Sequence, residues 1–390
     1  MKWENRLSPA VNALAPSGIR KFFDIAAEME DVISLGVGEP DFITPWSIRE
    51  SCIYGLEQGY TAYTSNRGLL ELREEITALY ERRHQLSYDA AEECLVTVGV
   101  SEGLDIAMRA IIGEGDEVLI PEPCYVSYKA CVTLAGGTPV PVAAKIENEF
   151  RVTAAELEEH LTPKTKVLLI GYPNNPTGAI MRHSDLLEIA SFAEKHDLIV
   201  ISDEIYGDLT YGEAAHTCFA SLPGMKDRTI LLNGFSKAYA MTGWRIGYAL
   251  ANPVITAAMT KIHQYTMLCA PITAQIAALE ALRHGEKYMK KMVAEYDKRR
   301  HLIYDGFCKI GLECFEPKGA FYIFPSIKNT GLSSEEFAEK LLYSEHVALV
   351  PGTAFGACGE GFVRCSYATS VANITEALVR IENFIEKHIK

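Results

Sequence analysis

The sequence predicts an α/β protein, with a large domain whose mainly parallel sheet is covered by helices on both faces, plus a smaller α+β domain. Three observations carry that expectation. Through the middle of the chain, short apolar runs alternate with amphipathic stretches. The runs are apolar at every position, as strands buried on both faces require, and helices between them supply the crossovers of parallel pairing. Beyond about residue 253 the pattern changes to long helices followed by short, spaced strands.

Taken in order, Leu95-Val96-Thr97-Val98 reads as a strand, and Ser101 to about Ile112 as the helix after it. Glu117-Val118-Leu119-Ile120 follows, then a helix from about Val126 to Leu134. Further strands are expected at Val167–Ile170, Leu198–Ile201, Thr229–Leu232 and Ile246–Ala249. Long helices then run through Val254–Met267, Thr273–Arg283 and Tyr288 to about Cys308. Strands at Phe321–Phe324, Val347–Val350 and Phe362–Cys365 precede a closing helix over Ile374–Ile385. The first forty or so residues have no obvious strand partner in the central sheet and are expected to join the smaller domain. Ligands of such sheets bind beyond the carboxyl ends of the strands. The polar residues that follow the apolar runs are therefore the functional candidates.

Composition narrows the class. A chain of 390 residues suggests two domains in one body, and 48% hydrophobic with 23% charged residues is ordinary for a soluble protein. A formal charge of -14 argues against a nucleic-acid partner, which would call for a basic face. The ten cysteines form no Cys-x-x-Cys pair and no zinc-site spacing, so no metal is expected. Scattered thiols in apolar stretches fit a reducing, cytoplasmic compartment. No apolar h-region follows the N-terminus and no apolar run reaches a membrane span, so no membrane partner is expected.

The segment Asn233-Gly234-Phe235-Ser236-Lys237-Ala238-Tyr239-Ala240-Met241-Thr242-Gly243-Trp244-Arg245 carries the most chemistry. A single lysine after a strand is usually solvated. Here Gly, Phe, Tyr, Met and Trp surround it, a setting that depresses an ammonium pKa as a Schiff-base lysine requires. Ser236 and Arg245 add a hydroxyl and a fixed cation suited to a phosphate. In Leu198-Ile199-Val200-Ile201-Ser202-Asp203-Glu204-Ile205-Tyr206 a carboxylate ends a very apolar strand. Asp203 reads either as a helix cap or as the counter-ion of a protonated ring nitrogen. Tyr206 is placed to point at the same site.

Tyr172-Pro173-Asn174-Asn175-Pro176-Thr177-Gly178 is a turn by composition, yet Asn175 also sits where an amide meets a ligand oxygen. Thr97-Val98-Gly99-Val100-Ser101-Glu102-Gly103 joins a strand to a helix, whose free N-terminal amides suit an anion. Arg364, followed by Ser366 and Tyr367, reads as a surface ion pair or as a bidentate carboxylate clamp.

Together these segments resemble the class I aminotransferases of the fold-type-I pyridoxal-phosphate enzymes, particularly the microbial aromatic and aspartate aminotransferases. The resemblance runs from Ser34-Leu35-Gly36-Val37-Gly38-Glu39-Pro40-Asp41-Phe42 to Val363-Arg364-Cys365-Ser366-Tyr367-Ala368. It implies pyridoxal 5'-phosphate bound as a Schiff base to Lys237, with Asp203 on the pyridine nitrogen. It implies that Tyr206 and Asn175 bond the ring's phenolate oxygen and that Tyr125 stacks on the ring. The backbone at Val100 and Ser101, with Ser236 and Arg245, would hold the phosphate, and Tyr63 would reach the phosphate of a neighbouring subunit, so a homodimer is implied. Arg364 would take the substrate α-carboxylate, with Gly38 and Asn175 beside it. The large domain would span residues 45–282, and the small domain 1–44 with 283–390.

The implied reaction moves an amino group between an L-amino acid and a 2-oxo acid such as 2-oxoglutarate, with ping-pong kinetics. Aspartate-preferring relatives carry a lysine at the position of Ser101, which has no charge to offer. Aromatic residues Phe22, Phe23, Tyr322 and Phe355 lie in segments resembling the pocket-lining parts of the aromatic enzymes, although each could equally be core. Aromatic or large apolar donors are therefore favoured over aspartate. A cysteine-conjugate β-lyase would need the same lysine, aspartate and arginine. A dehydrogenase would need Gly-x-Gly-x-x-Gly, whereas Gly36-Val37-Gly38 continues as Glu-Pro-Asp-Phe. A regulatory cofactor-binding protein would need an appended DNA-binding segment.

Overall fold

The computed structural model describes residues 6–15 and 29–388. Its centre is a seven-stranded sheet of β2 (Cys94–Thr97), β3 (Glu117–Glu122), β4 (Thr138–Ala143), β5 (Thr165–Gly171), β6 (Ile199–Asp203), β7 (Thr229–Gly234) and β8 (Gly247–Leu250). The spatial order is β2-β8-β7-β6-β5-β3-β4. Every pair is parallel except those of β8, which runs antiparallel to both β2 and β7.

Period-2 alternation explains why these runs are apolar throughout. Leu119, Leu168, Ile170 and Val200 enter the core on one face, with the helix His183–Lys195. Val118, Ile120, Val167, Leu169, Ile201 and Ile230 enter the core on the other, against Leu104, Ala107 and Met108 of the helix Gly99–Ile111. Both faces are covered, so most positions are apolar and a polar one such as Ser202 needs a partner, here Glu204.

The antiparallel direction of β8 matters for the site. A parallel β8 would have required the chain after β7 to cross to the far edge of the sheet. Instead the segment 235–246 turns back at the same edge, with Gly234 opposite Gly247. A Cβ on Gly234 would come within 2.9 Å of the Gly247 Cα, so this close pass excludes any other residue.

The remainder folds as expected, with β9 (Tyr322–Ile323), β10 (Val347–Ala348), β11 (Val350–Pro351) and β12 (Val363–Ser366) among the helices Glu286–Ile310, Ser334–Glu345 and Val371–His388. The expected strand Val347–Val350 is in fact two. It breaks at Leu349, and its halves join different sheets: β10 pairs in parallel with β1 (Ile33–Ser34), while β11 pairs with β12. The N-terminal segment thus finds its partner outside the central sheet. Strand β4 escaped the sequence reading because Thr138-Pro139-Val140-Pro141 carries two prolines. It sits at the sheet edge, where a residue without an N–H is tolerated.

One apolar cluster ties these parts together, from Leu35 and Ile48 through Leu231 and Tyr248 to Ile323, Phe307 and Phe384. All ten cysteines are free thiols. No helix among the described residues is long and apolar enough to cross a membrane.

Candidate active site

At the carboxyl edge of the central sheet lies a cavity of about 580 Å³. The ends of β2, β3, β5, β6 and β7 each deliver a short segment to it: Val100 and Ser101, Tyr125, Asn175, Asp203 with Tyr206, and Ser236 with Lys237. Gly38, Arg245 and Arg364 complete its wall from three other places in the chain.

Lys237 is the amine at its centre. Burial lowers its pKa to about 8, and the nearby Arg364 and Arg245 push the same way while Glu39 and Asp203 oppose them. Its Nζ donates to the Gly38 carbonyl at 2.6 Å. The backbone around it is unusual, since Ala240 and Arg245 both adopt positive φ, 53° and 52°. Non-glycine residues hold such angles only where the surroundings enforce them. Here Thr44 Oγ1 donates to the Ala240 carbonyl at 2.5 Å and accepts from Trp244 Nε1 at 3.0 Å, pinning the loop from the N-terminal side.

Asp203 is not a helix cap, because a turn and no helix follows β6. One carboxylate oxygen accepts from the Tyr128 hydroxyl at 2.8 Å, the other from the Ile205 amide at 3.2 Å. Burial raises its pKa to about 6 against those two hydrogen bonds. The adjacent Glu204 points elsewhere and accepts from Ser202 Oγ, the Phe219 amide and His216 Nε2. Burial pushes Glu204 up, but His216 and these bonds outweigh it and hold the carboxyl below its ordinary pKa. Of two consecutive carboxylates, one is fully committed to the scaffold and the other is held for the cavity.

At one end of the cavity the helix Gly99–Ile111 presents its first turn with no side-chain cap. Val100 and Ser101 line the wall there beside Ser236 and Arg245. Gly99 has φ +74°, and a Cβ on it would lie 2.7 Å from Arg245 Nη2, so only glycine lets the guanidinium approach the helix start. Free amides, a hydroxyl and a guanidinium at one point make a site for a phosphate-like anion.

At the other end Arg364 is 3% exposed, which excludes the surface ion pair. Its Nη1 donates to Asn175 Oδ1 at 3.0 Å and its Nη2 to the Gly36 carbonyl at 2.5 Å. Nε is buried without a partner, and no carboxylate among the described residues pairs with the group. Its planar face lies over the rings of Tyr322 at 4.6 Å and Phe355 at 4.8 Å. A buried cation without a counter-ion is costly unless a ligand supplies the anion.

The expected residues divide as follows. Gly38, Val100, Ser101, Tyr125, Asn175, Asp203, Tyr206, Ser236, Lys237, Arg245, Tyr322 and Arg364 all line the one cavity. Tyr63 does not; it is 82% exposed on the surface. Phe355 is set behind Arg364, in the core with Phe324 and Phe362, instead of lining the wall. Phe22 and Phe23 lie outside the described residues. Tyr128 is the group the sequence reading missed. Its signal was its place three residues after Tyr125, on the first turn of the helix after β3.

The family described as aminotransferase class I and II matches residues 30–381 of the chain. A Bacillus subtilis protein, YugH, is 56% identical over 98% of each chain, and an aspartate aminotransferase of Pyrococcus abyssi is 48% identical over 98% of each. The crystal structure of an aromatic aminotransferase from Pyrococcus horikoshii superposes with a TM-score of 0.90 at 45% identity, covering 95% of this chain and 99% of that one.

Proposed function

The chain belongs to the class I and II aminotransferases, and from that premise we propose that it exchanges amino groups between L-amino acids and 2-oxo acids on pyridoxal 5'-phosphate held at Lys237, by a ping-pong mechanism. The observation that carries this reading is the placement of a buried amine between an uncapped helix start and a buried guanidinium that no carboxylate among the described residues neutralises.

The residues fit the group. The first turn of Gly99–Ile111, Ser236 and Arg245 form a cradle for its phosphate. Asp203, buried with a raised pKa, needs a cation, and a protonated pyridine nitrogen supplies one. Tyr125 is set to stack on the ring, while Tyr206 and Asn175 are set to bond its phenolate oxygen. When bound, pyridoxal phosphate supplies an aldehyde that condenses with amines and a ring that withdraws electrons from the substrate Cα.

The protein does the rest. Arg364 binds the α-carboxylate through its fork, with Asn175 and Gly38 fixing the angle. Lys237, largely neutral above pH 8, would take the proton from Cα and return it on the far side of the amino nitrogen, two atoms away. Asp203 keeps the proton on the ring nitrogen throughout. Tyr128 and the Ile205 amide hold that carboxylate in place.

For the donor we favour aromatic or large apolar amino acids over aspartate, with 2-oxoglutarate as acceptor. Arg245 and Arg364 are the only arginines on the described cavity wall, and both have duties already. Ser101 offers no charge to a second carboxylate, and Tyr322, Tyr125, Leu104 and Ile205 give an apolar lining. A second copy of the chain is part of this reading. Its Tyr63 would reach the phosphate, and Tyr54, Tyr60, Tyr63 and Tyr265 are exposed rings that a partner could bury. The division at 45 and 282, and the cytoplasm as the compartment, which free thiols fit, belong to the same proposal.

A panel of amino donors tested with 2-oxoglutarate checks the whole. Amino transfer to 2-oxoglutarate, giving glutamate, is the expected result. Release of pyruvate and thiol from cystathionine, with no transfer, would point to the β-lyase instead.

A further inference from the structure

Tyr322 stands where the two halves of the site meet. It lies on β9 directly opposite Ser366 of β12, two residues beyond Arg364, so Tyr322 and Arg364 share one face of that sheet as diagonal neighbours. The ring lies under the guanidinium at 4.6 Å. Its hydroxyl is 2.8 Å from the hydroxyl of Tyr206. A Cβ on Gly38 would come 2.5 Å from that same oxygen. The residue is 1% exposed, so these contacts are fixed by packing.

Two phenols in contact have two protons and one shared bond, and its direction decides what Tyr206 can do. If Tyr206 donates to Tyr322, it has only lone pairs left for the cavity. If Tyr322 donates to Tyr206, then Tyr206 keeps its own proton for an acceptor there. An anionic ring oxygen accepts only, so its arrival selects the second arrangement, in which each bond polarises the next.

Building on the cofactor reading above, we propose that Tyr322 is a positioning residue that donates to Tyr206, makes Tyr206 a stronger donor to the ring oxygen, and holds the Arg364 guanidinium on its face. The carboxylate clamp and the cofactor's phenolate are thereby supported by one side chain.

The test is the absorbance titration of the lysine-bound chromophore in the holoenzyme. Tyr322→Phe keeps the ring and removes the donor. The ring oxygen becomes more basic, and the midpoint is expected to rise by about half a unit to one unit. In a Tyr206→Phe background the same change is expected to have no effect, because the relay is already broken. Replacing Tyr322 with 3-fluorotyrosine, a stronger donor, is expected to lower the midpoint, and this arm stands if Tyr322→Phe fails to fold. An unchanged midpoint, or an equal shift in both backgrounds, overturns the proposal. A wild-type protein that forms no lysine-bound chromophore overturns the cofactor reading instead.

Discussion

Arg364 Nη1 donates to Asn175 Oδ1 at 3.0 Å, joining β12 to the turn after β5 across 189 residues of chain. Two groups proposed to meet the same carboxylate are thus locked together before any ligand arrives. Arg364→Ala is expected to raise the Michaelis constant for every amino acid alike, since all share the α-carboxylate. A charge-assisted bond contributes about 1.5–3 kcal/mol, or roughly 10- to 150-fold. Steady-state kinetics on several donors check this. A loss confined to acidic donors would make Arg364 a side-chain selector.

Borohydride treatment of the holoenzyme is expected to fix the cofactor on Lys237. Mass mapping that places the label on another lysine would refute the assignment. Lys237→Ala is expected to keep cofactor binding, spread over many groups, and to lose turnover by about 10²–10⁴-fold or more.

The reactivity of Lys237 in the apoprotein is expected to follow a group titrating near 8. Burial disfavours the ammonium, so the neutral amine appears at a lower pH than on a surface lysine. By the same sign, stability linked to this depressed pKa is lost as pH falls through about 8. Acetic anhydride labelling read residue by residue from pH 6 to 10 checks the midpoint. A midpoint matching the surface lysines would contradict it.

Tyr128→Phe removes a donor from ionised Asp203, at a cost of about 1–3 kcal/mol. Because that bond lowers the pKa of Asp203, its loss raises the pKa further. The penalty is expected in full above the variant's raised midpoint, and should shrink as pH falls from there to about 6 and Asp203 takes up a proton. Urea unfolding of both apoproteins at pH 5 and pH 7.5 measures the gap. An equal penalty at both values would mean that Tyr128 acts through packing alone.

Specificity constants for phenylalanine, tyrosine, leucine, alanine and aspartate are expected to favour the large apolar donors. Discrimination should be shallow, as one methylene in an apolar pocket is worth only about 1–3 kcal/mol. A clear preference for aspartate over phenylalanine would sink the aromatic reading and leave the family assignment intact.

The central sheet and its order of elements were legible because burial on both faces forces continuous apolar runs, and such runs stand out in a sequence. The same logic flagged Asp203, a charge at the end of such a run, while Lys237 stood out by the apolar and aromatic residues around it. Local pattern failed where the cause was not local. Prolines hid β4, since only its place at the sheet edge makes them tolerable. Nothing in Val347–Val350 shows that the chain changes sheets at Leu349. The apolar character of Phe355 was visible, but whether it faces a ligand or backs Arg364 depends on packing from three other segments.

What the sequence determined by itself was therefore chemistry and periodicity: which runs become strands, which carboxylate and amine are anomalous, and which family they belong with. What only the tertiary structure decided was direction and partnership. Asp203 turns to Tyr128 while Glu204 turns to His216, Arg364 is buried with no carboxylate partner among the described residues, and Tyr206 meets Tyr322. The pairs Asp203–Tyr128 and Tyr206–Tyr322 join residues 75 and 116 positions apart in the chain. Burial tells a sequence that a polar group must be satisfied, but only the folded geometry tells it by whom.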